Sequence, residues 1–418
     1  MRQGFTLLEI LSVIASIGIL ASIVIVAINP SRQLAQARDA ERMIEINAIY
    51  KALSQYVIEN GEYPPAVESS PHLTRIEICK GTVDSGTCTS EGLIQLNELV
   101  PAFLASIPED PNASQENSTG YTAFLDNGRV IGIYSDRIEA GEDYPEAGAS
   151  WTVTLDSDVL NYMQRIEEKG EEISDREIAS IDTFVRSLKE DSLWDNIDEI
   201  GTFTGETLLA AQEKVKYANS PELRNISFVE EDFQNEIGIV NESAATKAFG
   251  TNYIPFNEIS ANNTGHLSLF LTDINTSIGT IPIGAESLKQ DLDLIYFNYG
   301  GWSGGEIAGR EQSASNTHTP SIGLYTATRE NATSLRFMKE GVTIFHNTNP
   351  LTKQHANAEV FVGGLNFQDS PSDPSYLVAP IDGSFAYYSV GEGFTESQVG
   401  TYASHVVQLM DDLGRPTP

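Results

Sequence analysis

Between Phe5 and Ile28 a single charged residue, Glu9, interrupts an otherwise apolar run, FTLLEILSVIASIGILASIVIVAI. As a helix this run is about 36 Å long, at roughly 1.5 Å per residue, enough to cross a bilayer core of about 30 Å. A carboxylate inside such a segment costs on the order of 2.5–3.5 kcal/mol on insertion scales, so it marks a functional position. Glu9 lies one turn inside the helix, within reach of a cationic amine from another subunit. The run is longer than the apolar core of a cleaved secretory signal, and Asn29-Pro30-Ser31-Arg32 offers no small-x-small cleavage site. Arg2 precedes the run and Arg32, Arg38 and Arg42 follow it, so flanking charge does not fix its orientation.

Gly4-Phe5-Thr6-Leu7-Leu8-Glu9-Ile10 resembles the processing site of type IV prepilins and of the pseudopilins of type II secretion systems. The resemblance is close over residues 1–65 and loose over 66–150. It implies that a prepilin peptidase cuts after Gly4 on the cytoplasmic face and methylates the new amine of Phe5. It implies that Glu9 neutralises the Phe5 amine of a neighbouring subunit during filament assembly. The expected partners are that peptidase, the membrane before assembly, and other copies or other pilins in a helical filament. The expected location is the inner (cytoplasmic) membrane and then a pilus at the cell surface.

The 418 residues suggest two or three domains. A formal net charge of −34 disfavours nucleic acid and anionic membrane surfaces, which need clustered Lys and Arg. The acidity suits a solvated exterior. The two cysteines, Cys79 and Cys88, flank a turn-prone segment with Gly81, Asp84 and Gly86. In an exported segment they are expected to form a disulfide, worth roughly 2.5–3 kcal/mol for so short a loop. Two thiols with only His72 nearby do not make a zinc site.

Beyond Asn29-Pro30 an amphipathic pattern continues through Leu34, Ala37, Ile44, Leu53 and Val57, and stops at Asn60-Gly61. One helix over about 6–59, bent near Pro30, is expected. Gly18 and Ser22 form a small-xxx-small pair that either permits close helix approach or is ordinary membrane-helix composition. Residues 92–100 read as a helix and 120–134 as a hairpin turning at Asp126-Asn127-Gly128. Residues 140–150 read as a linker. Ser174 with Glu177 forms a capping box, and Ile178, Ile181, Phe184, Leu188, Leu193, Ile197 and Ile200 then recur at helical intervals. From about 216 the chain holds short β-prone runs between turn signals, which implies an antiparallel sandwich. A final helix begins at Thr395-x-x-Gln398 and ends at Gly414.

This C-terminal part, with its ending FAYYSVGEGFTESQVGTYASHVVQLMDDLGR, looks like concanavalin A-like lectin/glucanase (laminin G-like) modules of phage and bacterial surface proteins. That resemblance implies a jelly-roll sandwich, often used to bind glycans. The expected class is α+β: leader 1–4, long helix 5–59 with 5–28 in membrane or filament core, pilin-like head 60–150, helical connector 151–215, and β-sandwich 216–418.

For chemistry, Asp291 and Asp293 stand at i and i+2, on one face of a strand. They are either an acid pair or a solvated face. His266, His318, His346, His355 and His405 lack ligand spacing. Trp302, in a loop Gly300-Gly301-Trp302-Ser303-Gly304-Gly305, is a candidate for stacking on sugar rings or a partly buried core residue. Asp110, Asn112 and Asp126 are candidate calcium ligands in the head, in a spacing that matches no known loop. Sequons at Asn112, Asn117, Asn225, Asn241, Asn262, Asn275 and Asn331 leave glycosylation open. No catalytic residue, metal site or cofactor is assigned. The expectation is a non-enzymatic, structural and adhesive pilin-like subunit with surface glycans as possible ligands. The alternatives are a minor or tip pseudopilin and a membrane-tethered glycan hydrolase.

Overall fold

The computed structural model describes residues 7–28, 30–69, 74–113, 115–126, 129–135, 139, 151–241, 246–259, 264–277, 279–287, 291–299, 302–308, 313–315, 318–348, 354–368 and 376–418. The chain divides into two compact units. The first comprises residues 1–56 and 63–154, the second 57–62 and 155–418.

The first unit opens with helix α1 (Leu7–Ile28), followed by α2 (Pro30–Asn60). The bend was expected near Pro30, which opens α2; residue 29, between the two helices, lies outside the described residues. Leu7, Leu8, Leu11, Ile14 and Ile17 are all more than half exposed, so α1 presents apolar side chains around its circumference. Two of its serines, Ser12 and Ser16, bond back to the helix backbone. The Ser12 hydroxyl donates to the Glu9 carbonyl (3.1 Å) and Ser16 to Ser12 (2.8 Å), which hides both donors against the helix backbone. Among the residues whose side chains are described, no helix is long and apolar enough to cross a membrane; the span expected over 5–28 extends beyond them at both ends.

The head is a four-stranded antiparallel sheet, Thr74–Cys79, Ser118–Asp126, Arg129–Ser135 and Trp151–Thr154 in spatial order. The hairpin forms as expected, its turn residues 127–128 lying outside the described residues, as does the 140–150 linker. Cys79 and Cys88 are joined, their Cα atoms 5.9 Å apart. Residues 92–100 are not a helix but a single 3-10 turn, Asn97–Leu99. Ile94 explains the difference: its amide donates to Glu77 (2.9 Å) and its carbonyl accepts from Cys79 (2.8 Å), which ties that segment to the sheet edge.

An ionic seam holds α2 on the head. Arg42, fully buried, donates to Asp110 (2.7 Å), to Asp39 (2.7 Å) and to Glu139. Burial alone would lower the Arg42 pKa, but the hydrogen bonds to these carboxylates outweigh it and raise it. Bonds from Arg38, then Arg42 and Asn112, hold the Glu139 carboxyl down to about 2. Farther along, Tyr121 donates to Glu45, and Tyr56 meets Phe103 edge-on with ring centres 5.8 Å apart.

The second unit is a β-sandwich with helices on one side. In spatial order its larger sheet runs Val342–Asn347, Ser334–Lys339, Gly323–Asn331, Gly265–Ile274, Gly383–Gly391, Gly238–Asn241 and Phe233–Gln234, and Ile197–Gly201 also pairs with Gly383–Gly391. The smaller sheet runs Ser313–Ser315, Trp302–Glu306, Asp291–Tyr299, Thr280–Ser287, Gly364–Gln368 and Tyr376–Val378. Among the described residues, one pair departs from the expected antiparallel pattern: Thr280–Ser287 and Gly364–Gln368 are parallel. Leu267, Leu269, Leu271, Tyr388 and Val390 from one sheet interdigitate with Ile283, Ile295 and Phe297 from the other in a single core.

Helices α3 (Ser157–Glu168), α4 (Asp175–Glu190) and α5 (Glu396–Asp412) complete this unit. Both expected capping boxes, Ser174 with Glu177 and Thr395 with Gln398, are formed. The helical reading of Ile197 and Ile200 is corrected. The chain leaves α4 through Ser192, at φ 58°, with the Leu193 amide bonded back to Leu188 (2.8 Å), a helix-ending geometry. Ile197–Gly201 is then a strand.

A neutral seam fixes α5 to the larger sheet. His266 Nδ1–H donates to the Glu392 carbonyl (2.6 Å), which leaves Nε2 to accept from the Ser389 hydroxyl (3.0 Å). Ser389 in turn lies 2.6 Å from the Tyr402 hydroxyl, and Tyr402 bonds Tyr387 (3.0 Å). Burial pushes His266 down to about 4, so the ring is neutral at ordinary pH.

Candidate functional site

At the N-terminus, Gly4 and Phe5 lie outside the described residues. Glu9 stands on α1, exposed, and is the only acidic residue in that helix's first turn.

In the smaller sheet, Asp291 and Asp293 are not a solvated face. Both are buried, at 8% and 1% exposure. Asp293 accepts from the amides of Ala308 (3.0 Å) and Ala356 (2.7 Å) and from His355 Nδ1 (2.9 Å). Asp291 accepts from the Gln354 amide (3.3 Å). Each carboxylate is thus spent on joining a strand to a neighbouring segment. His355, fully buried, was invisible as a partner because it lies 62 residues from Asp293.

Trp302 is corrected from loop to strand: it opens Trp302–Glu306, opposite Tyr299, and its side chain is not among those described. One of the glycines that made this stretch read as a loop, Gly305, has a packing reason. A Cβ on Gly305 would sit 2.4 Å from the Ala327 Cβ of the facing sheet, so only glycine lets the layers approach there.

Of the candidate calcium ligands, Asp110 is engaged by Arg42 and also accepts from the Asn112 amide (2.7 Å). The Asn112 side chain donates to Glu139 (2.6 Å). The side chain of Asp126 is not among those described. Among the described residues no cluster of three or more metal-ligating His, Cys, Asp or Glu occurs.

One further site was not anticipated. A cleft of about 590 Å³ opens between α3 and the segment 215–217, with Val215 in its wall. From α3 it receives Asp158, Asn161, Gln164, Arg165 and Glu168, and from the other side Lys216 and Tyr217. Arg165 is fixed by Glu213 (2.8 Å) and the Lys214 carbonyl (2.6 Å), and its guanidinium stacks 5.1 Å from the Tyr217 ring centre. Lys216 donates to the Trp194 carbonyl (2.7 Å) and lies 4.5 Å from that indole. Burial lowers its pKa, against the opposing pull of Asp198, Asp195 and Asp158. Asp158 is held by Lys189. Val159, Tyr162, Met163 and Ile166 of α3 are buried, which turns Asn161 and Gln164 outward. The one sequence signal for this site was that outward polar face beside an exposed tyrosine, and such a face reads first as simple solvation.

No protein-family model matches the chain, and no curated relative does. Among solved structures, the chain is similar to a Trypanosoma rangeli sialidase mutant displaying trans-sialidase activity, at 9% identity and TM-score 0.35, covering 56% of this chain and 39% of that one. It is also similar to the CBM40 of Ruminococcus gnavus IT-sialidase bound to α2,3-sialyllactose, at 11% identity and TM-score 0.26, covering 33% and 81%. A third is domain 4 of the arabinanase AbnA from Geobacillus stearothermophilus in complex with arabinotriose, at 18% identity and TM-score 0.26, covering 45% and 83%. The chain therefore spans well under half of the sialidase it matches. Because sialidases stand among these neighbours, the expectation of a non-enzymatic chain is withdrawn. At these scores the likenesses carry no activity over to the chain.

Proposed function

We propose that this chain is a pilin-like filament subunit that presents its second unit outward as a saccharide-binding module. A peptidase removes residues 1–4, α1 joins the core of a helical filament, and Glu9 neutralises the terminal amine of Phe5 on a neighbouring copy. Before assembly the subunit is held in the cytoplasmic membrane; afterwards it stands at the cell surface. The observation that carries this reading is α1 itself, whose described side chains are apolar and exposed on every side apart from Glu9 and inward-bonded serines. Such a surface needs lipid or like helices around it, and the lone carboxylate needs a cation inside that environment. A minor or tip position in a secretion pseudopilus makes the same demand of Glu9.

The test is assembly of Glu9→Val. Filament incorporation is expected to fall at least tenfold, with the variant accumulating in the membrane fraction, while the wild-type chain purified from filaments begins at methylated Phe5 by mass spectrometry. Normal incorporation of the variant, or a mature chain that retains Met1, overturns the reading.

A further inference from the structure

We infer that the cleft beside α3 is the saccharide-binding site of the second unit and that its ligand is an uncharged sugar. The inference rests on the proposed display role and names the place and chemistry of the ligand. The cleft's volume, about 590 Å³, falls in the range that small-molecule sites occupy. Its cations are already answered within the protein, Arg165 by Glu213 and Lys216 by the Trp194 carbonyl and nearby aspartates; of its carboxylates Asp158 is held by Lys189, and the exposed Glu168 adds a negative charge that disfavours anions. No cation is left over to seat a carboxylate or phosphate, and the chain's charge of −34 repels anions at a distance.

Glu168 aside, the groups left to bind a ligand are neutral. Asn161 and Gln164 are exposed and carry no side-chain hydrogen bond among the described residues. Each amide offers donors and an acceptor, the pairing that vicinal hydroxyls require. They stand three residues apart on α3, so their Cβ atoms lie about 5–6 Å apart on one face, a span that a single pyranose can bridge. Tyr217 is 42% exposed, and the Arg165 guanidinium stacked on it fixes the ring's orientation before any ligand arrives. An aromatic ring held in this way beside two outward amides suits the apolar C–H face of a sugar and its hydroxyl rim together.

The experiment is calorimetric titration of the full chain, in micelles of a detergent without a sugar headgroup, with lactose, cellobiose and mannobiose, and with 3′-sialyllactose as the anionic comparator. At least one neutral sugar is expected to bind, more tightly than sialyllactose. Tyr217→Ala is expected to weaken it on the order of tenfold, and Tyr217→Phe to retain it. Asn161→Ala with Gln164→Ala is expected to weaken it several-fold. Because Asn161 and Gln164 are exposed, their variants should keep the wild-type unfolding midpoint, and Tyr217→Phe, which keeps the ring under Arg165, is the stability control for Tyr217→Ala. Binding that is indifferent to Tyr217→Ala overturns the cleft assignment and leaves the display role standing. Preference for sialyllactose overturns the uncharged ligand. Absence of any saccharide binding overturns both the cleft and the saccharide part of the display role, whereas the Glu9 experiment reports on assembly alone.

Discussion

Two helices in this molecule are fastened by opposite chemistry, one to loops of the head and the other to a sheet. In the first unit α2 is fixed through buried charge, Arg42 among Asp39, Asp110 and Glu139. In the second, α5 is fixed through neutral hydroxyls and an uncharged imidazole, His266 to Ser389 to Tyr402. A buried ion cluster is stable only while complete, since removing one member strands the others in a low-dielectric interior. A neutral network loses less with each deletion, but it requires that its one titratable member stay uncharged. The first seam is therefore brittle to mutation and the second to acid.

That contrast can be broken in three ways. The largest effect belongs to Arg42→Ala, which leaves Asp39 and Asp110 buried without their cation. We expect a loss of about 3–5 kcal/mol from the first unit's unfolding free energy, read by denaturant titration; a loss below about 1 kcal/mol would show that the cluster contributes nothing net. The next is a pH effect. The folded pKa of His266 lies near 4, below the ordinary value of about 6.5. Its contribution is thus complete above pH 6.5 and lost as the pH falls toward 4, by about 3 kcal/mol. The second unit's midpoint should drop across that window, and His266→Gln should flatten the slope; an unchanged slope in that variant would assign the acid sensitivity elsewhere. The smallest is Tyr402→Phe, which removes one hydroxyl from the neutral seam at a cost of about 1 kcal/mol, checked by the same titration. A cost as large as that of Arg42→Ala would erase the distinction between the seams.

The parts of the fold that were legible in the sequence are those set by local rules. Both capping boxes formed where Ser174, Glu177, Thr395 and Gln398 placed them. The β-prone runs at Leu267, Leu294, Val342 and Ser384 all became strands. The misreadings arose where a distant partner decided the outcome. Ile197 and Ile200 fit a helical interval, but Gly383–Gly391 claims them as a strand. Gly305, near Trp302, resembled part of a loop because the need for it lies across the sandwich, at Ala327. Asp291 and Asp293 passed for a wet face because Gln354, His355 and Ala356, which satisfy them, are some sixty residues away. The cleft was hidden for a different reason: a polar helix face gives no sign of whether water or a ligand will occupy it.

The position of Gly383–Gly391 has a consequence in time. It runs between Gly265–Ile274 and Gly238–Asn241, with Ile197–Gly201 also paired to it, so the middle of the larger sheet is made from a strand that follows all its sheet partners in the chain. Until it arrives, the earlier strands form two separated halves with open inner edges, and pairings across so much sequence are slow to form. A nascent chain of this protein must be shielded until Gly383–Gly391 has emerged, and a stop codon placed just before that strand would remove a keystone rather than trim an edge.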